Sequence, residues 1–113
     1  MAVASVAGRT GLFHLSGYGM AKHAVVGLVR GLAADLTGTG VVAVAVSPGA
    51  TRTPMLDATA ALYGLDDVVG LARNGLGRVL DPAEVAATIG HCVSPAGAAL
   101  HGSGVAVDGG FGG

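Results

Sequence analysis

The chain has 113 residues, 51% of them hydrophobic and only 12% charged, with a formal net charge of −1. That length accommodates one domain near the lower end of what folds alone, and the apolar content excludes a disordered chain. Six basic residues scattered among seven acidic ones make no patch that could grip a phosphate backbone, so nucleic acid is not an expected partner.

Residues Met1–Ser5 read as a short apolar strand, and the Gly- and Ser-containing stretch from Val6 to Ser16 reads as a loop. From about Ser16 to Leu36 the period becomes helical. Val25, Leu28, Val29, Leu32 and Leu36 recur at three- and four-residue steps, as a buried face requires. A second face of this helix carries Met20, Ala24, Gly27 and Gly31. Glycine inside a helix costs about 0.5–1 kcal/mol relative to alanine, so two on one face imply another backbone lying close against them. Thr37–Gly40 ends the helix. Val41–Val46 follows without one polar residue, predicting a strand covered on both faces, and Ser47-Pro48-Gly49 stops it. Ala50–Arg78 is less periodic and predicts a mobile excursion of weak helical character.

Asp81-Pro82-Ala83-Glu84 has the form of a helix start, with Asp as cap, Pro at the first position and Glu reaching back. That helix should run to about Val93, where Ser94-Pro95 breaks it, and Val105–Val107 makes a last short strand before Asp108-Gly109-Gly110. Strand, helix, strand, helix, strand spells a three-stranded α/β unit with right-handed crossovers.

Cys92 is the one cysteine, so no internal disulfide or thiolate cluster can form, and Ile89 and Val93 beside it predict a buried thiol. No apolar run approaches the ~20 residues of a membrane span, and Met1–Ser5 lacks the basic head and apolar stretch of a signal peptide. A cytoplasmic chain without a membrane partner is expected. Glycine is abundant, at 21 residues spread through apolar segments, which predicts close backbone packing and tight turns.

Tyr18 and Lys22 stand four residues apart on the predicted long helix and therefore share a face. An ammonium one turn away favours phenolate over phenol, which prepares a tyrosine for general acid/base work. Ser5 precedes Tyr18 by thirteen residues, at the end of the first strand, where its hydroxyl could bond the same reacting oxygen. Ser47-Pro48-Gly49-Ala50-Thr51-Arg52-Thr53 lies just past the carboxyl end of the second strand, where open α/β sheets bind ligands.

Here the chain closely resembles the short-chain dehydrogenase/reductase family. Ser5, Tyr18 and Lys22 meet that family's Ser-x12-Tyr-x3-Lys signature, and Pro48, Gly49 and Thr53 meet its Pro-Gly-x3-Thr segment. Gly77-Arg78, Asp81-Pro82-Ala83-Glu84 and the terminal Val107-Asp108-Gly109-Gly110 are similar to its C-terminal pattern. The resemblance covers nearly the whole chain. It implies the C-terminal portion of a Rossmann-like, doubly wound parallel sheet, with about three strands and two to three main helices over residues 1–113. It also implies an NAD- or NADP-dependent oxidoreductase that interconverts an alcohol and a ketone or aldehyde.

In that reading Tyr18 exchanges a proton with the reacting oxygen, Lys22 supports Tyr18 and holds the nicotinamide ribose, and Ser5 orients the substrate oxygen. The backbone at Gly49 to Thr51, next to Pro48, and the hydroxyl of Thr53 would fix the carboxamide. Thr51 stands where the family more often carries Val or Ile. The resemblance further implies a homo-oligomer formed through the helix of Tyr18 and Lys22, and a small-molecule alcohol or carbonyl substrate.

The family's glycine-rich phosphate loop has no counterpart here. Gly38-Thr39-Gly40-Val41-Val42-Ala43 fits G-x-G-x-x-A in letters, but it follows a helix and opens a strand, the reverse of what phosphate binding needs. Asn74, the one asparagine, lies far downstream of Tyr18 and takes no part in a proton relay. The chain is thus expected to be the catalytic half alone, produced by a gene fragment, a misplaced start codon or a split protein. Its first strand would then expose an apolar edge, and the alternative function is an inactive remnant or interaction module. His14, His23, His91 and His101 lack metal-ligand spacing, so no metal is expected. No G-x-S-x-G elbow surrounds any serine.

Overall fold

A computed structural model describes residues 1–111. Strand β1 (Ala2–Val3) and strand β3 (Gly104–Val107) flank the central strand β2 (Ala45–Pro48), all parallel. Ala2 pairs with Ala45, and Val46 pairs with both Val3 and Val105. Helix α1 (Ser16–Asp35) joins β1 to β2. Helix α2 (Pro54–Leu62), helix α3 (Pro82–Cys92) and a 3-10 segment, Pro95–Leu100, lie between β2 and β3. The excursion predicted to be weakly helical thus contains a nine-residue helix. Its underside is a small cluster of its own, Ala60, Val68 and Val79 with Leu56 and Leu71. The six-letter glycine pattern at Gly38–Ala43 lies between α1 and β2, as its place in the sequence requires.

The valine-alanine run is sorted by the strand period of two. Ala43 and Ala45 point to α1, where they meet Val29 and Ala33, while Val44 and Val46 point to α3 and pack with Cys92, Ile89 and Val105. Alanine on one face admits a close helix and valine on the other fills a wider gap. Cys92 is buried as expected. Pairing begins at Ala45, later than the apolar run, and continues through Pro48, whose missing N–H is tolerated at a strand end.

The buried face of α1 differs from the expected one. Val26, Val29 and Ala33 are buried, whereas Leu28 and Leu32 are 62% and 41% exposed. Val29 and Ala33 meet Ala43 and Ala45, and Leu36 packs beside them, so Val29 and Leu36 of the expected face do turn inward. Met20 is 72% exposed, and among the described residues no atom beyond the chain neighbours and the helix's own backbone would lie within 4 Å of a Cβ at Gly27 or Gly31. The close backbone predicted against that face is not supplied by the described residues.

His101 ties three elements together. Its Nδ1 accepts from the Ala43 N–H at 3.1 Å, and its Nε2 lies 2.9 Å from the Ala33 carbonyl oxygen. A neutral ring protonated on Nε2 satisfies both contacts.

Helix α3 starts as the sequence predicts. Pro82 opens it, and the Asp81 N–H donates to Glu84 Oε2 at 2.7 Å. Arg78 grips the same carboxylate bidentately, at 2.9 and 2.8 Å. The Arg78 hydrogen bonds, then the Asp81 N–H, hold the Glu84 carboxyl down at about 2. An unfolded glutamate titrates near ~4.3, so between those values the unfolded chain binds more protons and stability falls as pH falls. Glu84→Gln should therefore lower the thermal midpoint above pH ~5 and flatten its decline between pH ~4.3 and ~2. Parallel melting curves of the two proteins across that window would refute the assignment.

Candidate active site

Ser5 follows β1 in extended conformation, with φ −172° and ψ 163°, and its Oγ accepts from the Ala7 N–H at 3.1 Å. It thereby caps the short 3-10 turn Val6–Gly8. This contact uses an oxygen lone pair and leaves the hydroxyl proton to donate elsewhere. The turn packs directly on α1, because a Cβ on Gly8 would stand 2.7 Å from the Lys22 carbonyl oxygen. Backbone contact of this kind fixes the depth at which the first turns of α1 sit beside the serine.

Tyr18 and Lys22 occupy those turns, both half-buried. Lys22 Nζ donates to the Val3 carbonyl at 3.1 Å and lies 5.6 Å from the centroid of the Tyr18 ring. The end of β1 therefore anchors the ammonium beside the phenol. Among the described residues the Tyr18 hydroxyl has no hydrogen-bond partner, so it is available to a bound molecule.

The second wall comes from the end of β2. The Gly49 N–H donates to the Val107 carbonyl at 2.9 Å, extending the ladder one step past Pro48. A Cβ there would meet Asp108 Cα and Cβ at 3.0 Å, so only glycine passes this corner without displacement. Thr51 Oγ1 donates to the Gly49 carbonyl at 3.0 Å. Thr53 Oγ1 donates to the Thr51 carbonyl and accepts from the Leu56 N–H, both at 3.3 Å, as the cap of α2. The Thr53 hydroxyl is thus engaged twice within the chain.

These residues share one cavity of about 960 Å³, lined by Ser5, Tyr18, Lys22, Pro48, Gly49, Thr51 and Thr53. It opens at the carboxyl ends of the strands, and α2 together with the loop before α1 forms its outer walls. The seven residues expected at the site from the sequence therefore line a common space.

Two contacts between segments distant in the chain were not legible in the sequence. Arg9 pairs with Asp108, whose carboxylate is buried and whose Oδ1 also accepts from the Gly110 N–H at 2.9 Å. The pair joins the loop after Ser5 to the corner after β3. Tyr63, at the end of α2, donates its hydroxyl to the Phe13 carbonyl and bridges the two outer walls. The scarcity of aromatic residues was the available signal, since the chain has two Phe, two Tyr and no Trp.

The sequence pattern of the family described as enoyl-(acyl carrier protein) reductase matches residues 1–112. The short-chain dehydrogenase/reductase aba4 of Botryotinia fuckeliana is 33% identical over 110 residues, covering 95% of this chain and 43% of that protein. The chain belongs to the short-chain dehydrogenase/reductase family. The family's 2,5-dichloro-2,5-cyclohexadiene-1,4-diol dehydrogenase from Sphingobium indicum (strain B90A) is 41% identical over 113 residues, covering 96% of this chain and 43% of its own length. A crystal structure of a variant actinorhodin polyketide ketoreductase with NADPH superposes with a TM-score of 0.87 at 32% identity, over 97% of this chain and 45% of that one. This short-chain dehydrogenase/reductase chain therefore spans less than half the length of the relatives it matches.

Proposed function

We propose that the chain is the catalytic half of an NAD(P)-dependent oxidoreductase that interconverts an alcohol and a ketone or aldehyde. The observation that carries this reading is the single cavity holding Ser5, Tyr18 and Lys22 opposite the Pro48–Thr53 corner. The Tyr18 hydroxyl gives a proton to, or takes it from, the reacting oxygen. Ser5 donates its unused hydroxyl proton to that oxygen and fixes its orientation. Lys22, tethered to the end of β1, keeps a positive charge beside the phenol.

The residues present fit the nicotinamide end of such a cofactor. Gly49 leaves backbone exposed where a side chain would block approach, and Tyr18, Lys22, Pro48, Thr51 and Thr53 surround the same space. When bound, the nicotinamide supplies or accepts the hydride. Among the described residues no turn from a strand into a helix has the G-x-G-x-x-G/A spacing of a pyrophosphate site. On this reading a separate or longer polypeptide provides it. The same reading assigns a second copy to the exposed face of α1, where Met20, Ala24, Gly27 and Gly31 lie, and puts the protein in the cytoplasm. None of the described helices is long and apolar enough to cross a membrane.

Titration with NADH and NADPH, followed by nicotinamide fluorescence, tests the proposal on the 113-residue chain and on a protein that joins it to a dinucleotide-binding half. The joined protein should bind one cofactor saturably and reduce a ketone. The short chain alone should bind at least about 100-fold more weakly, having lost the phosphate contacts. A joined protein that binds cofactor and reduces no carbonyl compound would refute the assignment.

A further inference from the structure

All the chain's aromatic side chains outside histidine, Phe13, Tyr18, Tyr63 and Phe111, line the cavity, and the clusters packed on the sheet contain none. Aromatic rings carry the largest apolar area and ordinarily go to the core. Here the core is built from alanine and valine, and Phe13 is 76% exposed at the cavity wall.

Phe13 is nevertheless fixed in place. Tyr63 donates its hydroxyl to the Phe13 carbonyl, and His14 sets its ring 3.9 Å from the Phe13 ring, centroid to centroid, and 6.2 Å from that of Tyr63. His14 does so at φ 62°, the one non-glycine residue with positive φ among those described. Left-handed backbone at a non-glycine residue is held by its surroundings and clusters at ligand sites. An exposed phenyl ring, supported from behind by an imidazole and by its own backbone, gives folding little and gives a bound ring a flat surface. The rest of the lining is largely aliphatic, with Lys22 and Arg73 as its charged members and no carboxylate. Such a lining disfavours a cation.

We infer that the substrate is a flat, ring-bearing carbonyl compound or alcohol, neutral or anionic, whose face stacks on Phe13 and Tyr63. Phe13 is then a specificity-determining residue. The reaction assigned to this substrate rests on the oxidoreductase reading above, whereas the preference for a ring rests on the cavity wall alone.

Ligand-observed NMR titrations of the 113-residue chain with 2-acetonaphthone and with 2-decanone test the inference. The flat ketone should bind more tightly although the open-chain ketone is the more hydrophobic. Phe13→Leu keeps an apolar side chain at an exposed position and removes only the ring. It should weaken 2-acetonaphthone about two- to twelvefold, the range of one aromatic pair, and change 2-decanone less than about twofold. Equal losses for both ketones, no loss for either, or binding of neither would overturn the inference.

A turnover assay on the joined protein with NADPH separates the two readings. Reduction of both ketones with no ring preference and no response to Phe13→Leu would leave the oxidoreductase reading standing and overturn this one. Phe13-dependent ring binding without reduction of any ketone would do the reverse.

Discussion

Tyr18→Phe is expected to lower kcat by about 10²- to 10⁴-fold, the range of a lost general acid/base, while leaving cofactor affinity nearly intact. The substitution removes one oxygen from a half-buried ring. That oxygen has no partner among the described residues, so neither the fold nor the packing of α1 depends on it. Lys22→Ala should behave differently. It removes the Nζ contact to the Val3 carbonyl and the charge beside the phenol together, and it strips the cavity of the donor proposed to hold the nicotinamide ribose. Both kcat and cofactor affinity should fall. Steady-state kinetics on the joined protein, paired with a fluorescence titration for NADPH, separates the two patterns. Equal and modest losses from both substitutions would remove Tyr18 from the role of proton donor.

The site was legible in the sequence to the extent that it is local. Tyr18 and Lys22 share a helix face by spacing alone, and Ser5 and the Pro48–Thr53 corner follow strands whose carboxyl ends must point the same way in a parallel sheet. The Asp81-Pro82-Glu84 helix start was legible for the same reason, since every contact it needs lies within one turn. Contacts between distant segments were not. Arg9 meets Asp108 and Tyr63 meets Phe13 only because two crossovers bring those segments together, and no period or cap encodes that. The side of α1 that packs inward was misread because Leu28 and Leu32 outweigh Ala33 on any hydrophobic scale. The residues that meet Ala43 and Ala45 are Val29 and Ala33, with Leu36 beside them, a contact between distant segments that the helical period alone does not encode.

Gly8→Ala and Gly27→Ala should move stability in opposite directions. Both add one methyl group. At Gly8 the methyl carbon would lie 2.7 Å from the Lys22 carbonyl oxygen and 3.0 Å from its carbon. Those are backbone atoms of α1, held by the helix ladder, and they cannot rotate aside as a flexible side chain would. Either α1 retreats from the turn capped by Ser5 or the turn itself opens. Overpacking of this kind costs about 1–3 kcal/mol. At Gly27 no described atom beyond the helix's own backbone and the chain neighbours lies within 4 Å, so in the monomeric chain alanine there should stabilise the helix by about 0.5–1 kcal/mol. Urea denaturation of the 113-residue chain reads both signs directly. Gly8→Ala carries a second consequence, because the displaced stretch includes Lys22 and lies one turn from Tyr18. A shift approaching 1 Å stretches the 3.1 Å bond from Nζ to Val3 and moves the phenol away from Ser5. Misplacement on that scale can cost about 10²-fold in kcat, and the loss should persist well below the melting temperature of the variant, where all of the protein is folded. Full activity in a destabilised Gly8→Ala protein would mean that the depth of α1 against the serine turn does not set the geometry of the proton donor.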